Sequence, residues 1–427
     1  MRQIGAESDL PDTKLSHSTK DVVYKYVDEN RDEAVKFYQD VIRTKSVTAG
    51  LGYDQGNEKD LAVFLEDYMK KIGMQVAMIE PHPKRTSIVG TLKGSVGKPR
   101  LAFYAHLDVV PVDKESKWKY PPFAAEIHDG RLYGRGASDM KTGLAASLFA
   151  AKVLKDVGIS LKGDLLCAYG AGEEQVYPYG LKALISQGLL KADFCIYPHG
   201  GIPEDPKMPF AADIGTRGLL FIQVKTKGKV EHLSAKEAAV NAIVKMCTVA
   251  KAIDNMSFTP VKPHHVVPGG IDIAPTIITA GFQAVSASTV PDECTAMFDC
   301  RFTFGATKDM IVGDIQRVIN QLKANDPELN VEVEVLRETR PSFIEPDAPL
   351  VDAIKKVWKE FDPKRPFVVA GARYDGDAVH FNEAGIPVSL TLGAAGYGDH
   401  EPNEWNHIEG YVSSIKMLCS IAINLLS

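Results

Sequence analysis

The chain has 427 residues, 45% of them hydrophobic and 24% charged, which excludes a mostly disordered chain, a collagen-like repeat and a coiled-coil rod. With 49 basic and 55 acidic side chains the net charge is −6, so the basic footprint that nucleic acid requires is missing and nucleic acid is not an expected partner. The length exceeds the roughly 250–300 residues at which a single core stops growing, which allows two or three domains, and no run reaches the ~18 apolar residues that span a bilayer.

The first thirty residues, Met1 to Asn30, are polar and lack the apolar centre of a secretory signal. Six cysteines (Cys167, Cys195, Cys247, Cys294, Cys300, Cys419) are scattered without a C-x-x-C pair, several of them in apolar runs. Buried free thiols are therefore expected, and with them a cytoplasmic enzyme. Along the chain, Asn57 to Gly73 is predicted to be an amphipathic helix, with Leu61, Phe64, Leu65, Tyr68 and Ile72 at helical spacing and Gly73 as its terminator. Leu101 to Ala105 is an apolar run expected as a buried strand. Thr142 to Lys155 is expected as a helix, and Asp164 to Tyr169 and Asp193 to Tyr197 as strands. Such alternation predicts an α/β sheet with parallel pairs. Beyond Ile214 the pattern changes. Strand Gly218–Lys225, helix Ser234–Ile253, strands Ile271–Phe282 and Cys294–Phe304, helix Lys308–Ala324 and strand Leu329–Leu336 follow the ferredoxin-like β-α-β-β-α-β order. A helix (Ala348–Phe361) and a strand (Ile386–Leu392) then resume the first style. The expected division is 1–214 and 339–427 as one α/β domain, interrupted by an inserted domain over 215–338.

Imidazoles and carboxylates follow the predicted strands of the first domain. His106 and Asp108 follow Leu101–Ala105, and Glu173-Glu174 follow Asp164–Tyr169 after Gly170-Ala171-Gly172. His199 follows Asp193–Tyr197, and His400-Glu401 follow Ile386–Leu392 after a Gly-rich stretch from Gly393 to Gly398. Asp139 lies in a Gly-rich loop before the second helix. Open α/β sheets bind ligands beyond the carboxyl ends of their strands, so these groups can meet in one pocket. Singly, each is more often a satisfied polar group or a turn; together they suit a divalent metal such as Zn²⁺, Mn²⁺ or Co²⁺. Asp139 is the best candidate to bridge two ions. Of the adjacent glutamates, one can ligate while the other takes a water's proton.

His106-Leu107-Asp108-Val109-Val110-Pro111 and Gly134-Arg135-Gly136-Ala137-Ser138-Asp139-Met140-Lys141-Thr142-Gly143 resemble the two signatures of a zinc hydrolase family. That family includes acetylornithine deacetylase, succinyl-diaminopimelate desuccinylase, aminoacylase, carnosinase and glutamate carboxypeptidase. Trp118, Pro122-Phe123, Asp129-Gly130, Asn241-Ala242-Ile243, Val290-Pro291 with Asp299 and Arg301, and His400 with Pro402-Asn403-Glu404 extend the match from about Lys36 to the end. The resemblance implies a phosphorylase/hydrolase-like catalytic domain with a mostly parallel mixed sheet, and an inserted α+β domain serving as lid and dimerisation element. It implies His106, Asp139, Glu174 and His400 as metal ligands, Glu173 as general base, and Asp108 bonded to the far nitrogen of His106. It also implies that His232, in Gly228-x-x-x-His232, stabilises the oxyanion, from the partner subunit in dimeric members. A homodimer or higher homo-oligomer acting on a small molecule follows.

Two features depart from that pattern. His199 stands where deacetylase and desuccinylase members carry Asp or Glu; it can still ligate, but one negative charge fewer makes either one or two ions the expectation. Gly371-Ala372-Arg373-Tyr374-Asp375-Gly376-Asp377 replaces the usual Gly-Gly-Thr-Ser-Asp segment, so Asp377 fills the slot of a substrate-gripping arginine. Arg373 can clamp a substrate carboxylate from a new direction, Tyr374 can contact a substrate ring, and Arg301 completes the expected substrate-binding set; alternatively, Arg373 merely pairs with a neighbouring Asp. The leading expectation is hydrolysis of a C–N amide-type bond in a small carboxylate-bearing substrate, an N-acyl amino acid or short peptide. The alternatives are hydrolytic deamination of an aminobenzoate on the same scaffold, and a non-catalytic binding protein.

Overall fold

The computed structural model describes residues 17–48, 56–112, 114–174, 180–280 and 288–427. The chain divides into two compact units. One comprises the described part of Met1–Asp213 with Glu345–Val369 and His380–Ser427; the other comprises Ile214–Ile344 with Ala370–Val379. The second unit thus runs beyond the expected boundary at 338 and takes in a segment from the expected C-terminal part, because Ala372 donates its N–H to Gly215 O at 2.7 Å and Arg217 donates to Tyr374 O at 3.0 Å.

The first unit is built on an eight-stranded mixed sheet in the order Gln75–His82, Arg85–Leu92, Asp164–Gly170, Arg100–His106, Phe194–Tyr197, Val388–Leu390, Phe210–Asp213, Phe367–Ala370. Its centre is parallel: Asp164–Gly170 pairs with Arg100–His106, that strand with Phe194–Tyr197, and that one with Val388–Leu390. Leu101 to Ala105 are wholly buried, as a run covered on both faces demands. Helices Lys141–Asp156 and Ile408–Leu426 are buried along most of their length and pack on each other. The helix Lys59–Lys71 ends where expected, with Gly73 at φ +81° closing it through an N–H to Lys70 O. Among the described residues the sequence reading misses the short helices Leu181–Ser186 and Ala378–Glu383, the C-terminal Ile408–Leu426, and the first two helices, His17–Glu29, within the segment read only as polar, and Arg31–Arg43. Val23, Val27, Ala34, Phe37, Tyr38, Val41 and Ile42 are the buried residues of these first two. Four short strands (Glu126–His128, Arg131–Tyr133, Gly396–Tyr397, Trp405–His407) form a second small sheet.

The second unit carries a four-stranded antiparallel sheet in the order Ile271–Ala280, Glu293–Phe302, Gly218–Lys227, Asn330–Thr339. Leu220, Ile222, Val224, Ala296, Phe298 and Cys300 meet Met246, Val249, Ile253, Ile311 and Ile315 of helices Ala242–Asp254 and Lys308–Asn325 in one core. The predicted helix Ser234–Ile253 is broken. A 3₁₀ segment, Leu233–Ala238, comes first, and the α-helix starts only after Asn241, whose side chain accepts the N–H groups of Ile243 and Val244. The predicted extension of Ile271–Phe282 beyond Ala280 lies outside the described residues.

Candidate active site

His106 is the last residue of Arg100–His106, and Glu173 and Glu174 follow Asp164–Gly170. His199 follows Phe194–Tyr197, and Asp139 precedes the helix Lys141–Asp156. These strands are neighbours and parallel in the centre of the sheet, so their carboxyl ends open on one place. Among the described residues His106, Asp139 and Glu174 each bring a donor atom within 4.8 Å of the others'. Asp139 is central. Its Oδ1 lies 3.0 Å from His106 Nε2 and 3.4 Å from His199 Nε2, and its Oδ2 lies 3.5 Å from His400 Nε2. His400 Nε2 is also 2.9 Å from Glu174 Oε2, and Glu173 Oε2 is 3.9 Å from His106 Nε2.

The Asp108 carboxylate does not bond His106. It lies 3.7 Å from Nδ1, whereas the main-chain carbonyl of Asp108 is 2.9 Å from that nitrogen. The carboxylate is taken by the backbone N–H groups of Glu173 (3.1 Å) and Glu174 (3.0 Å). Asp108 thus fixes the main chain of the glutamate pair with its side chain and the His106 ring with its backbone. A carbonyl only accepts, so Nδ1 carries a proton there, and Nε2 is the ring nitrogen turned to Asp139.

The electrostatics ask for a cation. Burial alone raises the Asp139 carboxyl, but its contacts with His106, His199 and His400 hold it well below the usual carboxylate range. Burial and then Asp139 push Glu174 up, against His400. His400 is raised to about 11 by Asp139 and Glu174; against their burial, His106 is raised well above its usual value by Glu173, Asp139 and Asp108, and His199 is raised by Asp139 and Asp399. Glu174 Oε1 is buried without a hydrogen-bond partner among the described residues. Imidazole nitrogens crowded on carboxylates beside an orphaned buried oxygen are the donor set of a hard-to-intermediate divalent ion, so the residues fit one.

The loop bearing Asp139 is held from several sides. Tyr38 Oη donates to Ala137 O at 2.6 Å, and Lys141 Nζ, wholly buried, donates to Thr44 O and Val41 O. The buried Glu404 accepts N–H groups from Gly136, Ser138 and Asp139 and a guanidinium N–H of Arg135. The sequence had marked Glu404 and Arg135 only as parts of matching motifs. The signal for their pairing was the Gly-rich loop itself, whose unpaired N–H groups need an acceptor.

The remaining candidates belong to the second unit. His232 is exposed, and its Nδ1 accepts the Ser234 N–H at 3.2 Å, which leaves Nε2 as the protonated nitrogen of the neutral ring. Arg301 spends three of its N–H groups: Nε and Nη2 go to Asp299, and Nη1 goes to Asp375. Asp375 also lies 3.6 Å from Arg337 Nη2. The alternative pairing of Arg373 with a neighbouring Asp is not formed: Arg373 is exposed and makes no ion pair among the described residues, because Asp375 is already engaged. Tyr374 is partly exposed.

The description of peptidase family M20/M25/M40 matches residues 102–424. An N-formyl-4-amino-5-aminomethyl-2-methylpyrimidine deformylase of Bacillus subtilis is 25% identical over 94% of this chain and 97% of its own. Human carnosine dipeptidase 1 shares the fold with a TM-score of 0.79 at 17% identity, over 95% of this chain and 98% of its own. A Bacillus subtilis M20 protein described as a dinuclear metal binding peptidase gives 0.65 at 15% identity, over 93% and 99%. No described helix is long and apolar enough to cross a membrane. The chain belongs to peptidase family M20/M25/M40 and is a metal-dependent hydrolase of amide bonds.

Proposed function

We propose that the chain cleaves the amide-type C–N bond of a small carboxylate-bearing substrate, an N-acyl amino acid or short peptide, at a divalent metal centre held by His106, Asp139, Glu174, His199 and His400. The observation that carries this reading is the placing of Asp139 between three imidazole nitrogens, with Glu174 Oε1 orphaned beside it. Two ions are favoured, because Asp139 presents Oδ1 to His106 and His199 and Oδ2 to His400, as a bridging carboxylate does. Zn²⁺, Mn²⁺ and Co²⁺ suit these donors.

The chemistry supplied by such ions, when bound, is polarisation of the scissile carbonyl and acidification of a water. Glu173 accepts the proton of the attacking water and returns it to the departing nitrogen, with its main chain held still by Asp108. His232 Nε2–H stabilises the oxyanion. Arg373, exposed and without an ion pair among the described residues, grips the substrate carboxylate, with Tyr374 beside it and Arg301 acting through Asp375.

The second unit serves as lid and dimerisation domain. Exposed Ile278 on the edge strand Ile271–Ala280, and Ile243 and Val244 on the helix beside it, support a homodimer through this edge. Free cysteines support the cytoplasm as its compartment.

The test is Glu173→Ala, assayed for metal content and for turnover of acyl amino acids, dipeptides and aminobenzoates. Metal content stays normal and kcat falls by about 10²–10⁴-fold. Undiminished hydrolysis by the variant removes Glu173 as the base. Ammonia release from an aminobenzoate, without acyl cleavage, replaces the amide reading with deamination.

A further inference from the structure

The loop Gly134–Asp139 and the loop Gly398–Glu404 each carry one proposed ligand, and each grasps the other. Glu404 Oε1 accepts the N–H groups of Ser138 (2.7 Å) and Asp139 (3.0 Å); its Oε2 accepts those of Gly136 (3.0 Å) and Arg135 Nη1 (2.7 Å). Four donors use all the lone-pair sites of a carboxylate. The main chain repeats the link, with Gly134 N–H donating to Glu404 O at 2.9 Å. In the other direction Arg135 Nη2 donates to His400 O at 3.2 Å and Nη1 to Glu401 O at 3.4 Å. Both side chains are almost wholly buried, at 3% and 1% exposed. The grip ends on the backbone of the ligands themselves, at Asp139 N and His400 O. His400 itself stands at φ +64°, in the left-handed region uncommon for non-glycine residues.

We propose that Glu404 and Arg135 are positioning residues: their reciprocal clasp of the two loops sets the spacing of Asp139 and His400 and so the affinity of the centre they share. The inference rests on the ligand set proposed above. A glutamine at position 404 keeps one acceptor oxygen and turns an NH₂ group toward backbone N–H donors, so the loop must shift. A lysine at position 135 keeps the charge but cannot reach Glu404, His400 and Glu401 from one planar group.

The experiment is Co²⁺ titration of the full-length metal-free protein, followed by visible absorption, for the parent, Glu404→Gln and Arg135→Lys, with kcat and KM of the loaded proteins. Both variants lose about 10- to 100-fold in Co²⁺ affinity, with a changed absorption band. Their kcat falls in the same range while KM stays near the parental value; a loss of folded protein does the same, so the Co²⁺ affinity and the band position, which an inactive fraction does not move, are the deciding readouts. A folded variant with parental Co²⁺ affinity and spectrum overturns the inference; if Glu404→Gln does not fold, Arg135→Lys decides alone. A parent that takes up no Co²⁺ removes the ligand set and the inference with it, whereas a parent that binds alongside unchanged variants removes only the inference.

Discussion

Glu58 Oε1 and Arg85 Nη2 lie 3.0 Å apart, and neither side chain has any exposed surface. The pair needs Gly56, because a Cβ there would stand 2.0 Å from Arg85 Nη1. Burial and then the Asp108 charge raise the Glu58 carboxyl from its usual 4.5 to about 8, against the pull of Arg85. An acid with a raised folded-state pKa costs nothing while both states are protonated. The cost grows once the unfolded chain ionises near 4.5, and levels off above about 8. Stability of the parent therefore falls as pH rises through this window, and Glu58→Gln flattens that part of the slope. Melting temperatures of the two proteins across the window test it; parallel curves sink it.

Gly396 lies against the residue that precedes Asp139. A Cβ at Gly396 would meet Ser138 Oγ at 2.1 Å and Ser138 Cα at 2.7 Å. Backbone has no room to yield there, so Gly396→Ala displaces the Asp139 loop. Expected are a loss of about 1–3 kcal/mol in stability from overpacking and a larger proportional loss of metal uptake. Denaturant unfolding together with metal analysis would show it; normal metal uptake in the folded variant contradicts the expectation.

Asp375 and Arg373 sit two residues apart and are predicted to fail differently. Asp375→Ala leaves Arg301 and Arg337 without their shared partner. Because Arg301 keeps Asp299, the cost is about 2–3 kcal/mol, below the 3–5 of a wholly buried pair. Arg373→Ala, at an exposed position, changes stability by less than about 0.5 kcal/mol. It raises KM for carboxylate-bearing substrates. If both variants lose stability equally, Arg373 is structural and its proposed grip on substrate fails.

Chelation should abolish hydrolysis and lower the melting temperature, and added Zn²⁺, Mn²⁺ or Co²⁺ should restore both. At a free ion concentration of about 100 Kd, binding to the native state alone contributes about 2.7 kcal/mol. Full activity after exhaustive dialysis against chelator contradicts the metal reading.

The sequence by itself determined the four central strands of the first sheet, and with them the places where chemistry could sit. Leu101–Ala105 is an uninterrupted apolar run because both its faces are covered, and His106, Glu173, Glu174 and His199 follow buried parallel strands, so position in the chain implied position in space. Helices His17–Glu29 and Arg31–Arg43 were missed because charged residues dilute the stripe of Val23, Val27, Ala34, Phe37 and Val41. The break before Asn241 was readable, since asparagine is a strong helix cap, but apolar residues on both sides hid it. What only the tertiary structure decided are the contacts between segments far apart in sequence. Asp108 gives its carboxylate to the glutamate backbone and its carbonyl to His106, Arg301 is spent on Asp375, and Glu404 closes over a loop more than 260 residues earlier. Periodicity reports which face of an element is buried. It carries no information about which acceptor a given N–H meets, and that depends on loops that become neighbours only after the sheet has formed.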